Sequence, residues 1–191
     1  MIKAVIFDCL GVLTTDGWKM MREEYFTNDV GLMQRALDID KAVNAGMIEY
    51  DEFIAEVAKM TGLSDDETYN RISYSNVANT TLFEYIYQKL KPTYKIGMLS
   101  NAADNWLNNL FIAEQIAVFD EILLSYQIGT TKPDSLMYET ISYRLGVEPD
   151  ECIFVDDQPY YIEASERLGM KGVHFADTKS VIQNIEELIR A

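Results

Sequence analysis

The 191-residue chain reads as an α/β protein: a Rossmann-like parallel sheet with helices on both faces, plus an inserted all-helical cap. Three observations predict this. Short apolar runs recur along the chain, each followed by a polar or glycine-containing loop; helical patterns lie between them; and one long stretch holds no strand-like run at all. The first run is Lys3 to Phe7, closed by Asp8 and a turn at Gly11. Lys95 to Leu99, Glu121 to Leu124 and Cys152 to Val155 repeat the pattern, and Val173 to Phe175 adds a fifth run. Four or five aliphatic residues without polar alternation is the signature of a strand buried on both faces. Helical patterns run from Asn105 to Ala113 and from Met137 to Leu145, where Met137, Ile141 and Leu145 recur every fourth residue.

The stretch from Thr14 to Asn79 is far longer than a crossover between parallel strands needs. It is expected to be a helical cap over residues 14–79, with residues 1–13 and 80–191 forming the core. Inside it Tyr50, Phe53, Ile54 and Val57 make one apolar helical face, Gly62 is placed to end that helix, and Ser64 with Glu67 forms a capping box for the next. Thr81 with Glu84 is a second such pair, opening the helix that leads back to the sheet.

With 48 % hydrophobic residues the chain can bury a substantial core without staples. Cys9 and Cys152 sit in apolar runs and read as reduced core residues. The opening MIKAVIF is too short an apolar run for a signal peptide, and no segment approaches the roughly 20 apolar residues of a membrane span. A cytoplasmic protein without membrane partners is expected. The net charge of −15, with no basic stripe, argues against nucleic acid as a partner.

In parallel sheets, ligands bind beyond the carboxyl ends of the strands. Those ends supply Asp8, then Ser100 and Asn101, then Lys132 in the Gly129 to Pro133 loop, then Asp156 and Asp157. A carboxylate attacks phosphorus or binds metal, a hydroxyl and an ammonium hold phosphate oxygens, and adjacent carboxylates supply hard ligands for Mg²⁺. Taken singly, each is a common loop residue; their order along successive strands is the signal.

In that order the sequence resembles the haloacid dehalogenase superfamily. Phe7-Asp8-Cys9-Leu10-Gly11-Val12-Leu13 is similar to its first motif, Leu99-Ser100-Asn101 to its second, Lys132-Pro133-Asp134 to its third and Phe154-Val155-Asp156-Asp157 to its fourth. Ala164 to Gly169 resembles the helix end after the fourth motif, and Gly46 to Phe53 resembles part of the helical cap. The resemblance implies a Mg²⁺-dependent phosphohydrolase acting on a small phosphorylated metabolite. Asp8 would be the nucleophile that forms an aspartyl-phosphate, and Ser100, Asn101 and Lys132 would bind the phosphoryl group. Asp8, the carbonyl of Leu10, Asp156 and Asp157 would hold the metal.

One departure weighs against the activity. Phosphatases of this superfamily carry an aspartate two positions after the nucleophile, which protonates the leaving group and later activates water. Here that position is Leu10, so the alternative is a catalytically weakened binding or regulatory protein. General acid–base catalysis contributes on the order of a hundredfold to ten-thousandfold, and acyl or anomeric phosphates would miss it least. Tyr161 is a second departure, at a place often held by Asp or Asn; aromatics such as Tyr160 and Tyr161 more often pack than act.

Dehalogenation is disfavoured, because Asp156 and Asp157 provide acids that a metal-free site has no use for. A phosphonate-cleaving Schiff base would need a cap lysine, and in sequence Lys19 and Lys41 look like ordinary surface residues. The single histidine, His174, is expected away from the motif loops. Cys9 is expected to point away from Asp8. Trp18, Tyr25 and Tyr74 are candidate substrate contacts, or else cap core, while Glu23, Glu24 and Asp29 form a solvated face.

Overall fold

In the computed structural model, which describes residues 1–103 and 106–191, the apolar runs form one all-parallel sheet. Its strands are β1 (Ala4–Phe7), β2 (Lys95–Ser100), β3 (Glu121–Leu124), β4 (Cys152–Asp156) and β5 (Lys171–His174), in the order β3-β2-β1-β4-β5. The fifth run is shifted: β5 starts at Lys171 and ends before Phe175. The chain builds outward from β1 to β2 and β3, then crosses to the other side of β1 for β4 and β5. The carboxyl ends of β1 and β4 therefore flank the point where the winding reverses, the usual crevice for ligands in such sheets. Register brings Phe7 opposite Val155 and Met98, so Asp8 emerges beside Asp156.

Strand periodicity explains the two-faced core. Val5 and Phe7 pack into one apolar cluster with Leu82, Ile86, Val181 and Ile185, while Ala4 and Ile6 join Met137, Ile141, Leu145 and Ile162 on the other face. The helices covering the first face are α5 (Thr80–Tyr85), continuing as a π-helical turn Ile86–Leu90, and α10 (Thr178–Arg190). Those covering the second are α8 (Ser135–Leu145) and α9 (Pro159–Arg167).

Between β1 and α5 run four helices: α1 (Gly17–Phe26), α2 (Val30–Asn44), α3 (Tyr50–Thr61) and α4 (Asp65–Ser73). They share a third apolar cluster that includes Trp18, Phe26, Phe53, Val57 and Ile72. Gly62 ends α3 in the left-handed conformation (φ 77°), and the Ser64–Glu67 capping box opens α4. The segments leading out of the sheet and back are stitched together: Thr14 bridges Ala78, Thr15 N–H donates to Val77, and Asn79 N–H donates to Leu13.

Two expectations fail locally. The Thr81–Glu84 pair is not the cap of α5. Asn79 is the N-cap, its side-chain oxygen accepting from Leu82 N–H, because the same residue is fixed by hydrogen bonds to Leu13, Val12 and Thr178. The pattern from Asn105, which lies outside the described residues, to Ala113 is not one helix either. Instead α6 (Leu107–Leu110) stops at an extended Phe111, and α7 (Ala113–Ile116) starts afresh. Phe111 is buried edge-on against Phe83, 5.2 Å between ring centroids, so tertiary packing overrides the helical period. Among the described residues no helix is long and apolar enough to cross a membrane. Both cysteines are buried and free.

Candidate active site

The strand-end residues converge. Carboxylate oxygens of Asp8, Asp156 and Asp157 lie within 4.8 Å of one another. Lys132 Nζ stands between two of them, 2.8 Å from Asp8 Oδ1 and 2.6 Å from Asp156 Oδ2, and all three side chains are buried. Ser100, also buried, lines the same cavity of about 540 Å³, together with Leu10, Asn101, Asp157 and Tyr161. A hollow of about 740 Å³ at the amino ends of β1 and β2 holds no such constellation.

Local backbone requirements explain the convergence. Gly11 has φ 88°, and a Cβ there would come within 2.8 Å of Asp157 Cγ. Only glycine supplies both the left-handed turn and the room for that carboxylate. The loop closes on itself through Gly11 N–H to Thr14 and Leu13 N–H to Cys9. Asn101 grips the third motif: its Oδ1 accepts from Lys132 N–H at 2.8 Å, and its Nδ2 donates to the Lys132 carbonyl at 3.2 Å and to Tyr161 Oη at 3.0 Å. Both donors of that amide are thus committed inside the protein.

The electrostatics follow from burial. Desolvation pushes Asp8 up to about 8 against the attraction of Lys132, and it also raises Asp156. Burial works against the charge on Lys132, but the combined pull of Asp156 and Asp8 and the hydrogen bonds to them outweigh it and hold the ammonium above the usual lysine range. The ammonium also lies 4.8 Å from the Tyr161 ring and 5.5 Å from that of Phe154. Three convergent carboxylates supply the hard oxygen donors that suit a divalent cation.

Several placements were not readable in the chain. Lys19, in the first turn of α1, is set apart from other surface lysines: its Nζ pairs with Asp157 Oδ2 at 2.9 Å, and that hydrogen bond raises its pKa. Gln158 Nε2 donates to the same oxygen at 2.8 Å. His174 does not lie away from the motif loops: its Nε2 is 3.1 Å from the Asp157 carbonyl, because β5 pairs it opposite Asp156. Tyr161 does more than pack, since its hydroxyl accepts from Asn101 and its carbonyl accepts from Tyr138 Oη. Asp16, Arg22, Asp40 and Lys41 line the cavity from the helices above. Of these Asp16 carries a signal, standing as N-cap before Gly17, but nothing in sequence ties it to the site. Of the aromatic candidates, Trp18 lines this cavity and Tyr74 an adjoining one, whereas Tyr25 stacks under Arg71. Cys9 is wholly buried in the first apolar cluster.

This fold and strand-end constellation are those of an α/β hydrolase. A family model of haloacid dehalogenase-like hydrolases matches residues 2–169, and the chain belongs to that family. It is 27 % identical over 197 aligned positions to a phosphatase of Mycobacterium tuberculosis, covering 89 % of this chain and 85 % of that one. A 60-residue stretch is 37 % identical to a chloroplast flavin mononucleotide hydrolase of Arabidopsis thaliana, spanning 31 % of this chain but only 24 % of that protein. In overall fold it is similar to a haloacid dehalogenase family enzyme of Bacteroides thetaiotaomicron solved with magnesium and inorganic phosphate, with TM-score 0.75, 23 % identity, and coverage of 95 % and 99 %.

Proposed function

We propose that the protein is a Mg²⁺-dependent phosphohydrolase of small phosphorylated metabolites, with Asp8 as nucleophile and residues 14–79 as the cap. The observation that carries this reading is the meeting of three carboxylates and the buried Lys132 at the carboxyl ends of β1 and β4. Family membership, and the phosphatase among the relatives, support it.

Asp8, the carbonyl of Leu10, Asp156 and Asp157 would hold the cation, a set of hard oxygens that fits Mg²⁺. Bound there, the ion would supply the positive field that lets a carboxylate approach a phosphate dianion. Asp8 attacks phosphorus, and Ser100 Oγ and Lys132 Nζ hold the transferring oxygens. Lys132 also opposes the burial that favours the protonated form of Asp8. Asn101, with both amide donors committed to Lys132 and Tyr161, acts as a positioning residue and fixes the lysine backbone. The free, buried cysteines support a reducing, cytoplasmic setting.

Leu10 lines the cavity where an acid would serve the leaving group, and it favours one second reading: a protein that binds Mg²⁺ and phosphate but turns over slowly. The two part on one assay. Purified protein with Mg²⁺ should hydrolyse acetyl phosphate, and EDTA or Asp8→Asn should abolish that turnover. Metal and phosphate binding without turnover would leave the binding reading standing and sink the enzymatic one.

A further inference from the structure

A second cavity of about 390 Å³ adjoins the catalytic one, and Leu10, Trp18, Asp40, Asn44 and Asn101 line both. Its walls come from the helices above the sheet and from the loop after β2. Tyr50, Phe53 and Tyr69 form a continuous aromatic wall: Tyr50 stacks on Phe53 at 5.7 Å and meets Tyr69 edge-on at 6.3 Å. Trp18 closes on Phe53 edge-on at 5.1 Å. Trp106, just before α6, also lines the cavity, so both tryptophans of the chain border this space.

We propose that this chamber receives the leaving group and that the substrates are phosphate monoesters of aromatic alcohols. The proposal deepens the phosphohydrolase reading and rests on it. Two independent features agree. The chamber offers flat aromatic walls of the kind that bury a ring, with polar groups both at its junction with the catalytic cavity, Asp40 and Asn44, and along its lining, Ser73, Asn76 and Asn109. Leu10, at that same junction, donates no proton, and a phenol, with a pKa of about 10, leaves as its anion far more readily than an alkoxide. The chemistry balances without an acid at position 10. An Asp8 oxygen forms a bond to phosphorus as the P–O(aryl) bond breaks, and the phenolate keeps the electron pair and later takes a proton from water. Water then attacks phosphorus, the Asp8–phosphorus bond breaks, and inorganic phosphate leaves.

The test compares 2-naphthyl phosphate with hexafluoroisopropyl phosphate, an ester whose leaving alcohol is similar in acidity to 2-naphthol but carries no ring to fill the chamber. Burial of a ring corresponds to about 1.5–3 kcal/mol, or roughly tenfold to a hundredfold in affinity, so kcat/KM should favour the naphthyl ester by at least about tenfold. That ratio should fall in Tyr69→Ala and in Tyr74→Ala, whose parent side chains are 38 % and 77 % exposed. Unphosphorylated 2-naphthol should compete with the ester, and its binding, followed by calorimetry on the metal-free protein, does not depend on turnover. Equal kcat/KM for the two esters, or no binding of 2-naphthol, overturns the chamber assignment. Binding of 2-naphthol without turnover of either ester retains the chamber and overturns the phosphohydrolase reading beneath it.

Discussion

Replacing Lys132 by methionine keeps most of the side-chain volume and removes the one ammonium that Asp8 and Asp156 share. The two carboxylates it leaves are 6 % and 0 % exposed. Removing one partner of a buried ion pair costs about 3–5 kcal/mol, because the remaining charge stays desolvated. In a chain of this size each kcal/mol lowers the melting midpoint by about 2–4 °C, so a drop of about 6–20 °C follows. The pH dependence carries the stronger test. Burial already raises Asp8 to about 8 and raises Asp156, and loss of the ammonium raises both further. A carboxyl whose folded pKa lies above its unfolded value contributes stability below the unfolded pKa and loses it as pH rises through the folded one. The deficit of Lys132→Met relative to wild type should therefore be largest above about pH 8 and shrink toward about pH 5. Urea unfolding at both pH values, in EDTA, measures it. A deficit below about 1 kcal/mol at alkaline pH, or one that grows on acidification, would refute the argument that Lys132 holds the site together against burial.

The other expectations are narrower. Leu10→Asp should speed release of alkyl leaving groups by about a hundredfold or more while changing release of acetate little, read as the two single-turnover rates of Asp8 phosphorylation, and it should raise kcat for acetyl phosphate by speeding hydrolysis of the phosphoenzyme. Lys19→Met should tighten Mg²⁺ binding by up to about fivefold by calorimetry: Lys19 competes for Asp157 Oδ2, yet its side chain is 41 % exposed, and such pairs contribute about 0.2–1 kcal/mol. Asp40, raised to about 6 chiefly by burial, should lower stability as pH rises from about 4 through about 6, by up to about 3 kcal/mol; the wild-type minus Asp40→Asn difference in urea unfolding should show that slope, and a flat difference would contradict it.

The sheet was readable because a parallel strand buried on both faces has to be written as a bare apolar run, and Ala4–Phe7 or Cys152–Asp156 admits little else. The strand-end residues followed, since topology alone brings Asp8 beside Asp156. Contacts made across the gap between the inserted helices and the sheet leave no such trace. Lys19 and Asp157 are 138 positions apart, and no spacing rule links a lysine in the first turn of one helix to a loop so distant in sequence. His174 was misplaced for a related reason: its position depends on the pairing register of β5, which a run this short does not specify. Asn79 and Phe111 overrode good local signals because each is held by long-range partners, Thr178 and Phe83, that local periodicity does not register.

Everything assigned to this site turns on whether Asp8 takes the phosphoryl group. The direct measurement is peptide mass spectrometry of protein quenched in acid during turnover of acetyl phosphate with Mg²⁺. With no acid–base side chain at Leu10 to speed its hydrolysis, the phosphoenzyme should accumulate, and one phosphoryl group should map to the peptide bearing Asp8 and be absent from Asp8→Asn. Turnover that persists in Asp8→Asn, or a phosphoryl group on any other residue, would contradict the account.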